Sequence, residues 1–195
     1  MVYINQHDYP HLLYICNSGD PDEEKHYRTT FPMSACGICS TVMLVDRLTD
    51  ASDFGVVEAL ELNYQCGANH APGTDYKVYA PAICERFGLR YVTTNDIEEV
   101  RRCLRTGGCV VANSGEDREG YKSVFSQWGH YFVVISEEED GRFCVLDPDL
   151  EPGKFDAPET SGKVEVRGKF CLCSGEVLIR DCDNRDPGFF CFWRK

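Results

Sequence analysis

The run Ile38-Cys39-Ser40-Thr41-Val42-Met43-Leu44-Val45 is small or apolar at every position. A surface helix shows charged or bulky polar residues on one face at a 3.6-residue spacing. This stretch shows none, so it predicts a helix buried on nearly all sides. Such a helix needs a substantial domain around it, and 195 residues can supply one as a single domain. The helix is predicted from about Ala35 to Leu48, with Pro32 and Ser34 ending what precedes it and Ser34 as its cap. Cys36 then falls in the first turn, where unpaired N–H groups and the positive end of the helix dipole favour an anion. Gly37 leaves room for close approach to the sulfur. Two readings follow, a nucleophilic thiolate or a buried structural cysteine, and the second is common for this residue type.

Composition narrows the classes. Hydrophobic content of 43% and charged content of 27% fit a globular domain rather than a disordered chain. A formal net charge of -12 argues against a nucleic-acid partner. No apolar run approaches the length of a membrane span, and residues 1–8 lack the pattern of a secretory signal, so the expected location is cytoplasmic. The 12 cysteines are therefore expected as reduced thiols. The spacing of Cys171, Cys173, Cys182 and Cys191 matches no zinc knuckle. Alternation along a strand explains Cys171 and Cys173, and Cys66 with His70 in a Gly-rich loop is read with the same restraint. No metal or cofactor is predicted.

Along the chain, Val2–Ile4 reads as strand-like and residues 7–34 as irregular, with a strand or helical turn at His11–Cys16 and a solvated acidic loop at Asp20–Glu24. Ser52 is the expected cap of a second helix carrying Phe54, Val57, Leu60 and Leu62. A helix over Lys77–Phe87 stops at Gly88, and a helix over Ile97–Leu104, capped by Thr94 or Asn95, stops at Thr106-Gly107-Gly108. Strands follow at Leu89–Val92, Cys109–Ala112, Gly129–Ile135, Arg142–Leu146, Val164–Val166, Phe170–Leu172 and Phe189–Trp193, with a short helix over Gly175–Cys182 capped by Ser174. Helices first and strands later predict an α+β fold with a mostly antiparallel sheet, in one domain over residues 1–195.

A thiol nucleophile needs a base, and the base needs an orienting group. Cys36 at a helix start, His130 at a strand start and Asp147 at the end of the next strand supply the three in that order. Taken singly, His130 reads as a surface or hydrogen-bonded residue and Asp147 as a turn former before Pro148. The hairpin register decides whether they meet. A two-residue Asp140-Gly141 turn, which local chemistry favours, sets Asp147 opposite Val134, about 13 Å from His130 at the rise of a strand. Meeting requires a wider loop or a bulge.

Cys36-Gly37 with the apolar helix through Met43, Gly129-His130-Tyr131-Phe132-Val133-Val134, and Val145-Leu146-Asp147-Pro148 together resemble the papain-like cysteine peptidases. The nearest branch is the bacteriocin-processing, double-glycine leader peptidases (cysteine peptidase family thirty-nine) and their stand-alone relatives. Residues Asp96 to Val111 resemble the helix and strand that precede the histidine in that family. The resemblance implies a papain-like fold, with Cys36 as nucleophile, His130 as general base and acid, and Asp147 orienting the imidazole. It also implies a glutamine upstream of the cysteine as oxyanion donor. Gln6, after Val2-Tyr3-Ile4-Asn5, is the upstream candidate, and accepting it makes residues 7–34 mostly an insertion. Residues 164–195 lie outside the motif and are expected to extend or cover the sheet.

The resulting expectation is a thiol hydrolase acting on a peptide or isopeptide amide of a peptide or protein substrate. Trp128 is read either as a shelter for the catalytic pair or as a core or sheet-edge aromatic, and residues 114–127 as a substrate wall or lid. Two rivals keep the fold. An acyl transferase would use an amine in place of water, and a peptide-binding module would have lost turnover.

Overall fold

The computed structural model describes residues 1–17, 27–70 and 73–195, so the acidic loop expected at Asp20–Glu24 lies outside the described residues. Seven strands form one sheet: β3 (Leu89–Thr94), β4 (Cys109–Glu116), β5 (Trp128–Glu137), β6 (Phe143–Leu146), β7 (Val164–Arg167), β8 (Phe170–Cys173) and β9 (Phe189–Arg194). Their order is β3-β9-β4-β5-β6-β8-β7, and every pairing is antiparallel. A separate two-stranded sheet pairs β1 (Leu13–Cys16) with β2 (Tyr27–Thr30). The region expected to be irregular thus holds a hairpin, while Val2–Ile4 forms no strand and leads into a short 3-10 turn at Gln6–Asp8.

The helices are α1 (Phe31–Ser34), α2 (Cys36–Leu48), α3 (Val56–Gln65), α4 (Tyr76–Phe87), α5 (Ile97–Arg105) and α6 (Gly175–Cys182). Side-chain alternation sorts the sheet into two cores. Cys109, Val111, Val133, Leu146, Phe190 and Phe192 face a core that includes Ile38, Val42, Met43 and Val45 of α2 and Tyr76, Tyr79 and Ile83 of α4. Val110, Ala112, Phe132, Val134, Val145, Phe189 and Cys191 face the opposite core with Val100 of α5 and Leu178 of α6. Cys171 and Cys173 share that second core, as strand alternation predicts. The sheet is therefore covered by helices on both faces, and α2 is buried nearly all round because it has the sheet on one side and α3 and α4 on the others.

Several caps differ from expectation. Ser34 ends α1 and bonds Thr29 Oγ1, while Ala35 precedes α2 without a side-chain cap. Pro32 sits in the first turn of α1, where its missing N–H costs nothing, rather than stopping a preceding element. For α3 the side chain of Glu58 accepts from the Gly55 N–H, in place of a cap from Ser52. Asp75 caps α4, and Asp96 rather than Thr94 or Asn95 caps α5; Thr94 Oγ1 instead accepts from the Asp96 N–H. Ser174 caps α6 as expected.

The C-terminal segment is more than an edge extension. β7 and β8 do extend one side of the sheet, but β9 inserts between β3 and β4. Phe189-Phe190-Cys191-Phe192 is apolar without alternation, the pattern of a strand buried on both faces, which is where it sits. Among the described residues no helix is long and apolar enough to cross a membrane.

Candidate active site

Cys36 opens α2, and Ser40 one turn later donates to the Tyr131 carbonyl at 3.2 Å, which fixes the helix start against β5. Gly37 is required by crowding. A Cβ there would stand 2.7 Å from Thr74 Cβ and 2.8 Å from Thr74 Oγ1. What approaches Gly37 is therefore Thr74, whose hydroxyl is bonded with the buried Tyr14 hydroxyl at 3.0 Å.

The β5–β6 hairpin resolves the register. The Glu138 N–H donates to the Arg142 carbonyl at 2.7 Å and the Gly141 N–H to the Glu138 carbonyl at 2.9 Å, so three residues, 139–141, close the loop. Asp140 accepts from Arg142 N at 3.0 Å and Nε at 2.7 Å, which stabilises the wider loop over the two-residue turn. Next to the loop, Glu137 pairs with Phe143 and Ser136 with Cys144; beyond a bulge, Val134 pairs with Val145 and Val133 with Leu146. Without the bulge, Asp147 would fall level with Val133, on the face opposite His130. The one-residue shift moves it level with Phe132, on the face of His130 and one same-face step away. That diagonal is short enough for the side chains to bridge. His130 Nε2 lies 2.7 Å from Asp147 Oδ1.

Both groups are buried, His130 at 6% exposure and Asp147 at 0%. Oδ1 of Asp147 also accepts the Asp149 N–H at 2.9 Å, and Oδ2 faces Lys154 Nζ at 2.7 Å in an ion pair. Lys154 in turn contacts Asp149 Oδ2 at 3.0 Å. The Tyr3 hydroxyl donates to the Asp147 carbonyl at 2.8 Å. Burial opposes the charged form of His130, as does the nearby Lys154. The Asp147 carboxylate and hydrogen bonds with Asp147 and Cys36 outweigh both and push the imidazole up to about 9. Burial also opposes the Asp147 carboxylate, yet Lys154 and His130 hold it well below the usual range. With Nε2 engaged by Asp147, Nδ1 is the ring nitrogen that this carboxylate leaves free.

Cys36, His130, Thr29, Met33, Asn113 and Trp128 help line one groove of about 580 Å3, which Glu116 and Arg185 also border. A larger cavity of about 690 Å3, walled by Tyr3, Lys154 and Phe155, contains neither Cys36 nor His130. Gly129 has a positive φ of 102°, and a Cβ there would meet Arg185 Nη2 at 2.4 Å. The positive φ is what calls for glycine before His130, since the Arg185 guanidinium ends a flexible side chain that can move aside. Arg185 pairs with Glu116 at 2.7 Å across the strand ends. Trp128 is 81% exposed, so it stands as a rim of the groove and does not cover the His130–Asp147 pair. The loop after Glu116 contributes little else to this groove.

Gln6 does not line the groove. Its amide is buried, with Nε2 donating to the Pro32 carbonyl at 2.5 Å and to Asp149 Oδ1 at 2.8 Å, so both N–H groups are engaged. The Pro32 carbonyl is the acceptor that an unbroken α1–α2 helix would offer to the Cys36 N–H. Among the described residues that N–H makes no hydrogen bond. Lys154 is the residue that sequence reasoning missed. It is a lone cation in a Pro/Gly-rich loop, and only the fold brings it to Asp147. Among the described residues no group of three or more His, Cys, Asp or Glu side chains is arranged to hold a metal ion.

No family model matches this chain, and no curated protein matches it. A solved structure from Bacillus anthracis, provisionally described as a C39-like peptidase, aligns with a TM-score of 0.51 at 11% sequence identity. The alignment covers 82% of this chain and 88% of that one. A likeness at that identity establishes a shared mixed helix and antiparallel-sheet fold.

Proposed function

We propose that the chain is a papain-like thiol hydrolase that cleaves a peptide or isopeptide amide. The observation that carries the reading is that Cys36 and His130 line one open groove, with the His130 ring held at 2.7 Å by the buried Asp147 carboxylate. The shared fold with a C39-like peptidase agrees with it. In the first step the Cys36 proton passes to His130 Nδ1 and the thiolate attacks the substrate carbonyl carbon. Asp147 holds the ring by Nε2 and stabilises the imidazolium. His130 then gives its proton to the leaving amine as the C–N bond breaks, leaving a Cys36 thioester. Water, deprotonated by His130, attacks the thioester, and the thiol is regained as the carboxylate product leaves.

The oxyanion needs N–H donors, and the Cys36 N–H is available for one bond. Gln6 contributes to that availability by occupying the Pro32 carbonyl. To serve as a direct donor, Gln6 would have to exchange one of its present bonds for the substrate oxygen. Those two engaged bonds favour the second reading, a peptide-binding module of the same fold without turnover.

A p-nitrophenyl ester of a short acylated peptide separates the two. The hydrolase reading expects a burst of p-nitrophenol, an acyl mass increment on the peptide containing Cys36, and slow return to the free thiol. An unmodified Cys36 after prolonged incubation contradicts it. Partition of the acyl group to an added amine would instead point to acyl transfer.

A further inference from the structure

Tyr121 gathers three cations in a chain whose net charge is -12. The Arg118 and Arg180 guanidinium carbons stand 4.4 and 4.3 Å from its ring centroid, and Lys163 Nζ stands 5.6 Å from it. Arg118 and Tyr121 exchange backbone hydrogen bonds at 3.0 Å across the Glu119-Gly120 turn, and the Tyr121 hydroxyl donates to Asp181 at 2.6 Å. The ring is thus held in place before any ligand arrives. Arg118 pairs with Asp183, and Lys122 with Asp117 at 2.6 Å. Arg180 and Lys163 are exposed, and neither forms an ion pair among the described residues. Arg118 Nη1 is buried with no hydrogen-bond partner. Cations gathered round one ring repel one another, and a cation–π contact at an exposed site is weak, so the ring alone does not account for the gathering.

We propose that this cluster binds a phosphoryl group, either free or esterified to a small molecule. Arg180 and Lys163 are two cations without an ion-pair partner among the described residues, against the single acid Glu159, so the cavity wall favours an anion. Guanidinium forks such as that of the exposed Arg180 match phosphate oxygens. The cavity these residues line, with Glu159 as the one acid on its wall, is about 380 Å3, in the range of small-molecule sites. The acidity of the whole chain opposes a long polyanion. The cavity shares no residue with the Cys36 groove, so this site stands independently of the proposed hydrolysis.

The test is calorimetric titration of the full chain with inorganic phosphate, and separately with glycerol phosphate, at constant ionic strength. It is repeated on the Arg180→Gln/Lys163→Gln variant, and on Lys163→Gln alone should the double variant unfold. The expected result is saturable binding with Kd at or below about 1 mM, weakened at least about tenfold in the variant, with an unchanged unfolding temperature without ligand. Tighter glycerol phosphate would identify an esterified ligand, and tighter inorganic phosphate the free ion. The absence of saturable binding, or equal affinity in chain and variant, overturns the proposal.

Discussion

Asp147 and Asp181 are both fully buried carboxylates, and their surroundings differ in kind. Asp181, on α6, is satisfied by the β4–β5 loop. It accepts the Val124 N–H at 2.9 and 3.0 Å, the Phe125 N–H at 2.8 Å and the Tyr121 hydroxyl at 2.6 Å. Most of its partners are neutral backbone groups that a fixed loop presents, and Phe125 beside them stacks on Phe132 at 4.2 Å. Asp147 is satisfied by a histidine, a lysine and one backbone N–H, so two of its partners are titratable. The first arrangement pins a loop. The second sets the protonation of its neighbour. Two residues of one type at equal burial therefore take different work from the groups that face them.

Substitutions can break that contrast. Asp181→Ala leaves two buried N–H groups and a hydroxyl without an acceptor, so we expect a loss of about 4 kcal/mol, or about 12 °C in Tm, measured by urea and thermal unfolding. Under conditions where the variant stays folded, Cys36 reactivity should be retained. Lys154→Met removes one partner of a buried ion pair and should cost about 3 kcal/mol. Because Lys154 opposes the charged form of His130, the same change should move the His130 titration above about 9, read by NMR of the imidazole. Asp147→Asn should move it the other way, below the ordinary 6.5, since burial and Lys154 would then act without an opposing carboxylate. If Asp147→Asn leaves the His130 titration in place, the contrast between the two carboxylates fails.

The smallest effect is on stability against pH. The raised imidazole stabilises the fold fully below 6.5, and that contribution is lost as pH rises through about 9. The depressed carboxylate stabilises it above its unfolded value near 3.8, and that contribution is lost as pH falls. Both contributions are present together between about pH 4 and 6.5. Urea midpoints for the chain and His130→Ala should therefore differ more at pH 5.5 than at pH 9.5, and an equal difference at the two values would contradict the account.

Much of this was legible in the residues. The unbroken apolar run of α2 announced a helix with no wet face, and the β-rich blocks around His130 and Asp147 announced a hairpin. Register was not legible. The bulge between Val134 and Ser136 carries no Gly or Pro to mark it, and the turn chemistry at Asp140-Gly141 pointed to a tighter loop. The engaged amide of Gln6 was hidden because Pro32 and Asp149 are distant in sequence, and Lys154, though near Asp147 in the chain, lies in an irregular loop whose path no periodic pattern encodes. The place of β9 inside the sheet left a trace in its unalternating Phe189-Phe190-Cys191-Phe192, but sheet order is a long-range property.

The most direct test of the central claim is the rate of Cys36 alkylation by iodoacetamide against pH, in the chain and in His130→Ala, read by peptide mapping. Apart from Cys36, only Cys66 among the cysteines is not buried, and partial burial pushes its thiol up, so the Cys36 peptide should dominate the early labelling. The account predicts rapid labelling of Cys36 at about pH 6 that falls at least about 100-fold when His130 is removed. Slow labelling at that pH, unchanged by His130→Ala, would mean that Cys36 is a structural cysteine and that His130 and Asp147 form a buried pair with no nucleophile to serve.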